Sequence, residues 1–406
     1  MKKYGLLGEK LSHSYSPEIH SMLSDYEYKL YEVERDKLDD FFANCELDGF
    51  NVTVPYKREV MKYLVGITDT AKLMGSVNTV VRRPDGFWGD NTDAYGFEYA
   101  VRKSGIEVGG KKALVLGSGG ASGMAVKVLE SMGAGKVVVI SRSGVDNYTN
   151  LERHYDADII VNTTPVGMYP STDEAPLDLA PFKSLSGVVD IIYNPAKTAL
   201  LAQADELHIP YINGLTMLVA QAKCASELFL GDAVEETLID SITKLLEFRM
   251  KNIILVGMPG SGKSTVAEKL AKMLGRELFD SDTEIEAATG MKIPYIIESF
   301  GEAEFRRHET EALKKLCSGS GRVIATGGGC VTTPENYKIL HQNANVIWIK
   351  RELSRLATNG RPLSARDGVE ELYARRRPLY EKFADFEVDN NKTPKATAER
   401  IVELLR

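Results

Sequence analysis

The stretch Lys251–Thr265, KNIILVGMPGSGKST, decides how the chain is divided. A short apolar run, Ile253–Val256, ends in a glycine-rich turn, and a helix-forming run begins at Val266. The turn fits G-x-x-x-x-G-K-[ST], in which backbone N–H groups and a lysine surround phosphates and a hydroxyl serves Mg²⁺. The pattern is filled by Gly257, Gly262, Lys263 and Ser264, and Gly260, Ser261 and Thr265 complete the predicted loop. A nucleotide-binding domain therefore starts in mid-chain, and different structure precedes it.

Bulk properties set the class of protein. A chain of 406 residues exceeds the size that one core usually serves, so two domains are expected. A 43% hydrophobic and 26% charged composition is typical of folded globular proteins, and a net charge of -7 gives no reason to expect nucleic acid or a membrane as partner. The cysteines show no metal or disulfide spacing, and no apolar run is long enough for a signal or membrane span. We expect a cytoplasmic location.

A second glycine-rich turn lies in the first half. The sequence from Lys111 to Ile140 predicts strand, helix and strand, which is a dinucleotide-binding unit. At the end of the second strand, NAD-preferring sites usually place an acid that binds the ribose 2′-hydroxyl. Here Ser141 and Arg142 offer a hydroxyl and a cation that suit a 2′-phosphate, although Asp146 lies close by. NADPH is therefore the favoured coenzyme, and NAD stays open.

Polar loops follow apolar strands within the first hundred residues. Ser14 and Ser16 alternate along an extended segment, so their hydroxyls suit a small carboxylate, with helix capping as the alternative. Lys57, Asn78 and Asp93 each come from a separate loop. Ligands of open α/β sheets bind beyond the strand ends, so we expect these loops to converge.

The motifs SHSYSP, NVTVPYK, SVNT, DNTD, GSGGA, SRS and DIIYNP, followed by GLTMLVAQA, resemble in this order those of shikimate dehydrogenases, over residues 1 to about 248. The resemblance implies NADPH-dependent reduction of 3-dehydroshikimate to shikimate, with Lys57 and Asp93 as the catalytic pair. An ammonium held by a carboxylate can stabilise alkoxide charge and supply the proton. The first loop departs from the family in carrying Lys10 where proline is common.

The same resemblance implies an α/β substrate lobe, about 1–97 with 223–250, and a Rossmann lobe, about 98–222. The implied substrate-binding residues are Ser14, Ser16, Thr53, Asn78 and Gln221. The implied coenzyme-binding residues are Gly117, Gly119, Gly120, Ala121, Ser141, Arg142, Tyr193 and Gly214.

The second half carries further polar features after its phosphate loop. Asp280 and Asp282 are predicted to project from one side of an extended piece, with a helix N-cap as the alternative. Arg306 and Arg307 are adjacent on a predicted helix and point about 100° apart, so only one should enter a pocket. The glycines 327–329 leave bare backbone that a ligand can approach closely.

The order GMPGSGKST, DSD, FGEAEFRRHE, TGGG, NGRPL and RRRPLY resembles shikimate kinases over residues 251–406. The resemblance implies a parallel sheet of the nucleoside-monophosphate-kinase type and transfer of the ATP γ-phosphoryl group to the 3-hydroxyl of shikimate. The implied roles are catalysis for Asp282, Lys263 and Arg361, Mg²⁺ binding for Ser264 and Asp280, substrate binding for Arg306, Gly327, Gly328, Gly329 and Arg376, and adenine contact for Arg355 and Pro394.

The chain is therefore predicted to be a bifunctional α/β enzyme of two successive steps, with a dehydrogenase over residues 1–250 and a kinase over residues 251–406. Almost no linker separates the halves, which predicts simple tethering, and either a monomer or a homodimer fits. The alternatives are a quinate/shikimate dehydrogenase or a redox-inactive nucleotide-sensing module, fused to a small P-loop kinase for another sugar acid.

Overall fold

The computed structural model describes residues 2–11, 14–356 and 368–405. Arg361, for which the kinase resemblance implies a catalytic role, therefore lies outside the described residues. The chain forms two compact units, Met1–Tyr193 with Thr198–Leu245, and Asn194–Lys197 with Leu246–Arg406. The division falls inside the helix Thr237–Met250, and only Lys251 separates that helix from the next strand. The predicted boundary at 250/251 stays a prediction.

The first unit begins with a mixed six-stranded sheet in the order β2-β1-β3-β5-β6-β4. Its strands are β1 (Lys3–Gly8), β2 (Glu27–Glu32), β3 (Gly49–Val52), β4 (Gly66–Ile67), β5 (Thr79–Arg83) and β6 (Gly86–Asp90). The helices of this region are α1 (Ser16–Leu23), α2 (Leu38–Ala43) and α3 (Asp69–Met74). Apolar side chains of β1 and β3, including Leu7 and Phe50, are buried, because they belong to one cluster of apolar side chains that covers this part of the sheet. Ser14, Lys57 and Asp93 follow β1, β3 and β6 as predicted. Asn78 instead comes directly before β5, and it reaches the same edge because β5 runs antiparallel to β3.

A second, fully parallel sheet follows, in the order β11-β10-β9-β7-β8. Its strands are β7 (Lys112–Leu116), β8 (Lys136–Ile140), β9 (Ile159–Asn162), β10 (Gly187–Asp190) and β11 (Tyr211–Ile212), and α5 (Gly120–Ser131) and α6 (Ala199–Glu206) accompany them. The apolar runs of β7 and β9 are buried on both faces, as in other parallel sheets. The predicted Rossmann lobe is confirmed.

Helices α4 (Thr92–Lys103) and α7 (Leu215–Leu230) pack on each other and connect the two lobes of the first unit. Phe97 on α4 joins the core of the parallel sheet, whereas Phe229 on α7 stacks on Tyr4 of the first sheet. The helices approach closely at Gly96, where an added Cβ would lie 2.6 Å from the carbonyl oxygen of Met217. Only glycine allows this approach, which sets the position of the α4 N-terminus.

The second unit is a parallel sheet in the order β13-β14-β12-β15-β16. The strands are β12 (Asn252–Val256), β13 (Leu278–Asp280), β14 (Val323–Ala325), β15 (Ala344–Lys350) and β16 (Phe386–Asp389). Helix α8 (Thr237–Met250) precedes these strands. The helices that follow are α9 (Lys263–Leu274), α10 (Ser281–Thr289), α11 (Ile293–Phe300), α12 (Glu302–Cys317), α13 (Asn336–His341), α14 (Val369–Phe383) and α15 (Pro394–Leu405). Separate apolar clusters cover the two faces of the central strand β12. The predicted P-loop domain is confirmed.

Across the described ranges, the helices are all too short or too polar to cross a bilayer.

Candidate functional site

The first unit holds a cavity of about 490 Å³ where the loops after its strands meet helix α7. Among the predicted substrate residues, those that line it are Ser14, Ser16, Thr53, Asn78 and Gln221, and the predicted pair Lys57 and Asp93 lies in the same wall. Tyr193 and Gly214, predicted on the coenzyme side, line it as well. The loops that the sequence predicted to converge therefore share one cavity.

Lys57 and Asp93 form an ion pair, with 2.5 Å between Nζ and Oδ2. Asp93 lies in the first turn of α4, whose N-cap is Asn91. The other oxygen of Asp93, Oδ1, accepts a hydrogen bond of 2.8 Å from Asn78 Nδ2, and Asn78 Oδ1 accepts one of 2.7 Å from the Thr92 backbone N–H. The aspartate is thus fixed from both sides. Both members of the pair keep partial exposure to the cavity, 30% for Lys57 and 19% for Asp93.

The hydroxyl side of the cavity comes from the first loop. Ser14 Oγ accepts a 3.2 Å hydrogen bond from the Ser16 backbone N–H, so the two residues lie side by side at the start of α1. Tyr193 contacts Tyr15 edge to face, with 6.2 Å between the ring centroids. Gln221 Oε1 lies 3.5 Å from Thr92 Oγ1, so α7 reaches the first lobe as predicted.

The glycine turn of the parallel sheet lies between β7 and α5. Gly117 has φ +111°, and an added Cβ would lie 2.9 Å from Thr163 Oγ1, so only glycine fits there. The positions of added Cβ atoms at Gly119 and Gly120 are open, which leaves room beside the N-terminus of α5. Ala121 is the second residue of that helix. Past the end of β8, Ser141 is buried and Arg142 is exposed.

The second unit holds a cavity of about 470 Å³ in front of its phosphate loop. The predicted residues that line it are Gly260, Gly262, Lys263, Ser264, Thr265, Asp280, Asp282, Arg306, Gly327, Gly328, Gly329 and Arg376. Lys263 Nζ donates to the carbonyl oxygens of Gly257 and Met258 at 2.9 and 3.1 Å. The lysine side chain therefore folds back onto the backbone of the phosphate loop.

The placement of Asp280 and Asp282 differs from the predicted extended piece. Asp280 ends β13 and is the N-cap of α10, where its side chain accepts from the backbone N–H groups of Asp282 and Thr283. Asp282 lies in the first helical turn. The extended prediction therefore holds for Asp280 and was wrong for Asp282, because Asp280 caps a helix that begins at the next residue, Ser281. Both carboxyl groups still line the cavity, and Ser264 Oγ donates to Asp280 Oδ2 at 3.0 Å.

Burial raises the pKa of Asp282, with a smaller contribution from the charge of Asp280, while Lys263 and Arg306 oppose the shift. A carboxylate with a raised pKa accepts a proton more readily, which suits contact with an attacking hydroxyl. No group of three or more His, Cys, Asp or Glu side chains in the described ranges is arranged to hold a metal ion. Ser264 and Asp280 nevertheless fit Mg²⁺, because this ion is usually held by one or two protein oxygens together with phosphates and water.

Arg306 reaches the cavity and its neighbour does not. The Arg306 side chain is 13% exposed, whereas Arg307 is 58% exposed and pairs with Glu304, so the prediction of one inward arginine is confirmed. Arg306 Nη1 donates to Glu309 Oε2 at 2.7 Å. Arg376, buried on α14, donates to the Gly328 carbonyl at 3.1 Å. The guanidinium groups of Arg306 and Arg376 therefore both lie beside the glycine run.

The run Gly327–Gly329 is packed against the functional side chains. A Cβ at Gly327 would lie 2.7 Å from Glu309 Oε1, and one at Gly329 would lie 2.2 Å from Arg306 Nη2. A Cβ at Gly328 would lie 2.6 Å from the ring of Pro259 in the phosphate loop. Bare backbone is required at Gly328, because its neighbour is the Pro259 ring, whereas a side chain at Gly327 or Gly329 would have to displace the end of Glu309 or Arg306, which line the same cavity.

Some predicted residues do not line the second cavity. Gly257 and Ser261 belong to the phosphate loop but not to the cavity wall. Gly257 has φ +145°, an added Cβ there would lie 2.6 Å from the Ile349 carbonyl oxygen, and Ser261 is buried. Arg355 instead donates to the Asn391 carbonyl at 2.9 Å, and Pro394 begins α15.

Sequence reasoning missed several cavity residues. Glu309, fully buried, was not predicted, although it lies three residues after Arg306 on the same helix face and that spacing was a usable signal. Burial raises its pKa to about 7. Asn51 in the first cavity was also missed, because it lies inside an apolar strand rather than in a loop.

The fold and the two cavities define a dinucleotide-type oxidoreductase joined to a P-loop kinase. Residues 6–80 match the family described as shikimate dehydrogenase substrate binding domain, and residues 259–406 match the shikimate kinase family. The chain belongs to the shikimate dehydrogenase family through its N-terminal part, and its C-terminal part is a shikimate kinase domain.

Individual relatives support the assignment. The shikimate dehydrogenase (NADP(+)) of Clostridium beijerinckii is 35% identical over 270 residues, which cover 62% of this chain and 100% of that protein. A solved chorismate mutase/shikimate 5-dehydrogenase fusion protein from Clostridium acetobutylicum is 36% identical, with a TM-score of 0.58, and the match covers 61% of this chain and 97% of that one. The Thermus thermophilus shikimate 5-dehydrogenase, solved with NADP(H) and shikimate, is 28% identical, with a TM-score of 0.55, over 60% and 99% of the two chains.

Proposed function

We propose that the first unit reduces the C3 ketone of 3-dehydroshikimate with NADPH, and that the second unit phosphorylates the resulting 3-hydroxyl with MgATP. The observation that carries the proposal is the Lys57–Asp93 pair, which faces the same cavity as Ser14 and Ser16. A second, independent cavity then offers two arginines and a phosphate loop. Each cavity therefore has groups that can bind the carboxylate of the same ring acid.

In the first step, bound NADPH supplies the hydride. The hydroxyls of Ser14 and Ser16 bind the ring carboxylate, and the Lys57 ammonium faces the ketone oxygen. As negative charge develops on that oxygen, Lys57 stabilises it and donates a proton, so the product is the alcohol. Asp93, itself held by Asn78, keeps the ammonium in position.

In the second step, MgATP supplies the phosphoryl group. Arg306 and Arg376 bind the ring carboxylate, and Asp282 orients the 3-hydroxyl and accepts its proton as that oxygen bonds to the γ-phosphorus. The bond from the γ-phosphorus to the bridging oxygen of ADP breaks, and ADP leaves. The N-terminus of α9 and Lys263 stabilise the phosphate charge, and Ser264 with Asp280 would hold Mg²⁺. Arg361, Arg355 and Pro394 keep the roles that the family resemblance implies.

The test is a one-pot assay of the full chain with 3-dehydroshikimate and NADPH, followed by MgATP. NADPH oxidation should precede formation of shikimate 3-phosphate. Lys263→Ala should remove only the second signal. Lys57→Ala should remove both, because no shikimate is formed, but should still phosphorylate shikimate that is added directly. No NADPH oxidation would favour a nucleotide-sensing module, and ATP turnover with gluconate but not shikimate would favour another sugar-acid kinase. Comparison of quinate with shikimate, each with NADP⁺ and NAD⁺, separates the remaining alternative.

A further inference from the structure

The end of β8 presents two opposite signals for coenzyme choice. Arg142 suits a 2′-phosphate, whereas Asp146, four residues later, is an acid of the kind that binds the free 2′-hydroxyl of NAD. A carboxylate beside the 2′-phosphate would repel it, because both groups are negative. The direction of the Asp146 side chain is therefore relevant to coenzyme choice.

The structure shows the Asp146 carboxylate bound to a histidine. Asp146 Oδ1 lies 2.9 Å from Nε2 of His154, which belongs to the short 3-10 helix Leu151–His154. The His154 side chain is 8% exposed and the Asp146 side chain 33%. His154 Nδ1 is buried and has no hydrogen-bond partner among the described residues. The tautomer with the proton on Nε2 fits this arrangement, because it donates to the carboxylate and leaves no buried N–H unpaired.

The loop around Asp146 has its own hydrogen bonds. The Ser141 backbone N–H donates to the Asp146 carbonyl at 3.2 Å, which returns the chain to the end of β8. Asn150 Oδ1 accepts from the Asn147 N–H at 2.9 Å, and Asn150 Nδ2 donates to the Val145 carbonyl at 3.0 Å. The backbone is thus held independently of the histidine, and what His154 adds is a fixed direction for one carboxylate.

We propose that His154 is a positioning residue for coenzyme choice: it holds the Asp146 carboxylate toward the Leu151–His154 helix and away from the space where Arg142 meets the 2′-phosphate. The inference rests on the proposed NADPH-dependent function of the first unit. His154 touches neither coenzyme nor substrate in this role. It makes an acid that is typical of NAD sites compatible with NADPH.

The experiment measures dissociation constants of NADPH and NADH for the full chain, from the fluorescence of the bound nicotinamide. His154→Leu fills the same space without a donor and frees Asp146. The ratio of NADPH to NADH affinity should fall about tenfold in this variant, mainly through weaker NADPH binding. Asp146→Ala combined with His154→Leu should restore the ratio to within about twofold of the unmodified chain, since no carboxylate is left to release.

Two further variants keep the outcome decisive. Asp146→Ala alone should leave the ratio of NADPH to NADH affinity within about twofold of the unmodified chain, because the carboxylate already points away from the coenzyme. This measurement tests the proposal even if His154→Leu fails to fold. A large gain in NADPH preference in Asp146→Ala would overturn the proposal. Asn150→Ala loosens the loop but keeps the histidine, so it should weaken the binding of NADPH and NADH by the same factor. An equal loss of both affinities in His154→Leu would also overturn the proposal. If the unmodified chain binds NADH better than NADPH, the proposed coenzyme is wrong, which is a separate result.

Discussion

Asn78 binds two neighbours that the first active site needs. Its Oδ1 accepts from the buried Thr92 N–H, and its Nδ2 donates to Asp93, so one amide fixes both the start of α4 and the carboxylate that holds Lys57. The arrangement links stability to activity at a single residue, since a buried polar group without its partner is unfavourable.

We therefore expect Asn78→Ala to lower the free energy of unfolding of the first unit by about 1–3 kcal/mol, because the Thr92 N–H loses its acceptor. Dehydrogenase kcat should fall as Asp93 loses its donor, while kinase activity is unchanged. Urea unfolding and the two separate assays check this. The control is Asn44→Ala, which removes an exposed amide that donates to the Asp40 carbonyl and should change stability by less than about 0.5 kcal/mol.

Glu309 gives the second unit a pH dependence with a defined sign. Its pKa is raised by burial from 4.5 to about 7, so the folded protein binds this proton more tightly than the unfolded chain. Its contribution to stability is present below pH 4.5 and is lost as the pH rises through about 7. Glu309→Gln has no such proton to lose.

The unfolding free energy of the unmodified chain should therefore fall relative to Glu309→Gln by about 1–3 kcal/mol between pH 5 and pH 8. A Trp88→Phe background leaves Trp348, buried in the second unit, as the fluorescent reporter. Glu311→Gln, at an exposed position of the same helix, should show no such trend. Parallel pH curves for the unmodified chain and Glu309→Gln would refute the assignment.

At the scale of elements, the contact between α4 and α7 depends on a missing side chain. Alanine at a helical glycine position usually stabilises a protein by about 0.5–1 kcal/mol. At Gly96, however, the new Cβ would lie 2.6 Å from the Met217 carbonyl and 2.9 Å from the Gln221 side chain. The two helices would have to separate.

Gly96→Ala should thus destabilise the first unit by about 1–3 kcal/mol and raise KM for the ring acid, because Gln221 and Asp93 lie on the displaced helices. Gly123 on α5 is the matched control, since nothing lies within 4 Å of its added Cβ. Gly123→Ala should be neutral or slightly stabilising. Thermal unfolding of both variants distinguishes a packing effect from helix propensity, and equal stabilisation of both would contradict it.

Elements were predictable where local chemistry determines the conformation. The two glycine turns sit between strand and helix, and their spacing alone predicted Gly117 and Gly262, which both have positive φ. Asp282 was misplaced because extended and helical conformations compete within two residues after Asp280, and the capping aspartate decides between them. His154 could not be assigned from sequence, because its role arises from burial and from a partner that folding brings to it. Glu309 had a spacing signal on α12, but its complete burial is visible only in the folded structure.

At the scale of the whole chain, the last turn of α8 belongs with the second unit. Residues Leu246–Met250 are grouped there. Arg276 donates to the carbonyl oxygens of Phe248 and Lys251 at 2.5 and 2.8 Å, and the Gly321 N–H donates to the Met250 carbonyl at 2.8 Å. A domain boundary at residue 251, one residue before β12, would remove two of these acceptors, the carbonyl oxygens of Phe248 and Met250.

A fragment of residues 251–406 should therefore be less stable than a fragment of residues 237–406 by about 2–3 kcal/mol, at roughly 1 kcal/mol for each lost hydrogen bond plus the buried Met250 side chain. Urea titrations that follow Trp348 give both midpoints. Identical midpoints would show that α8 adds nothing to this unit.

The packing around Gly327–Gly329 also has a genetic consequence. Each of the three codons specifies a residue whose side-chain space is already taken by Glu309, Pro259 or Arg306. A missense change at any of them damages phosphorylation and leaves ketone reduction in the other unit untouched. A cell that relies on this polypeptide alone would then accumulate the ring alcohol instead of its precursor, so the blocked step is visible in the metabolite that builds up.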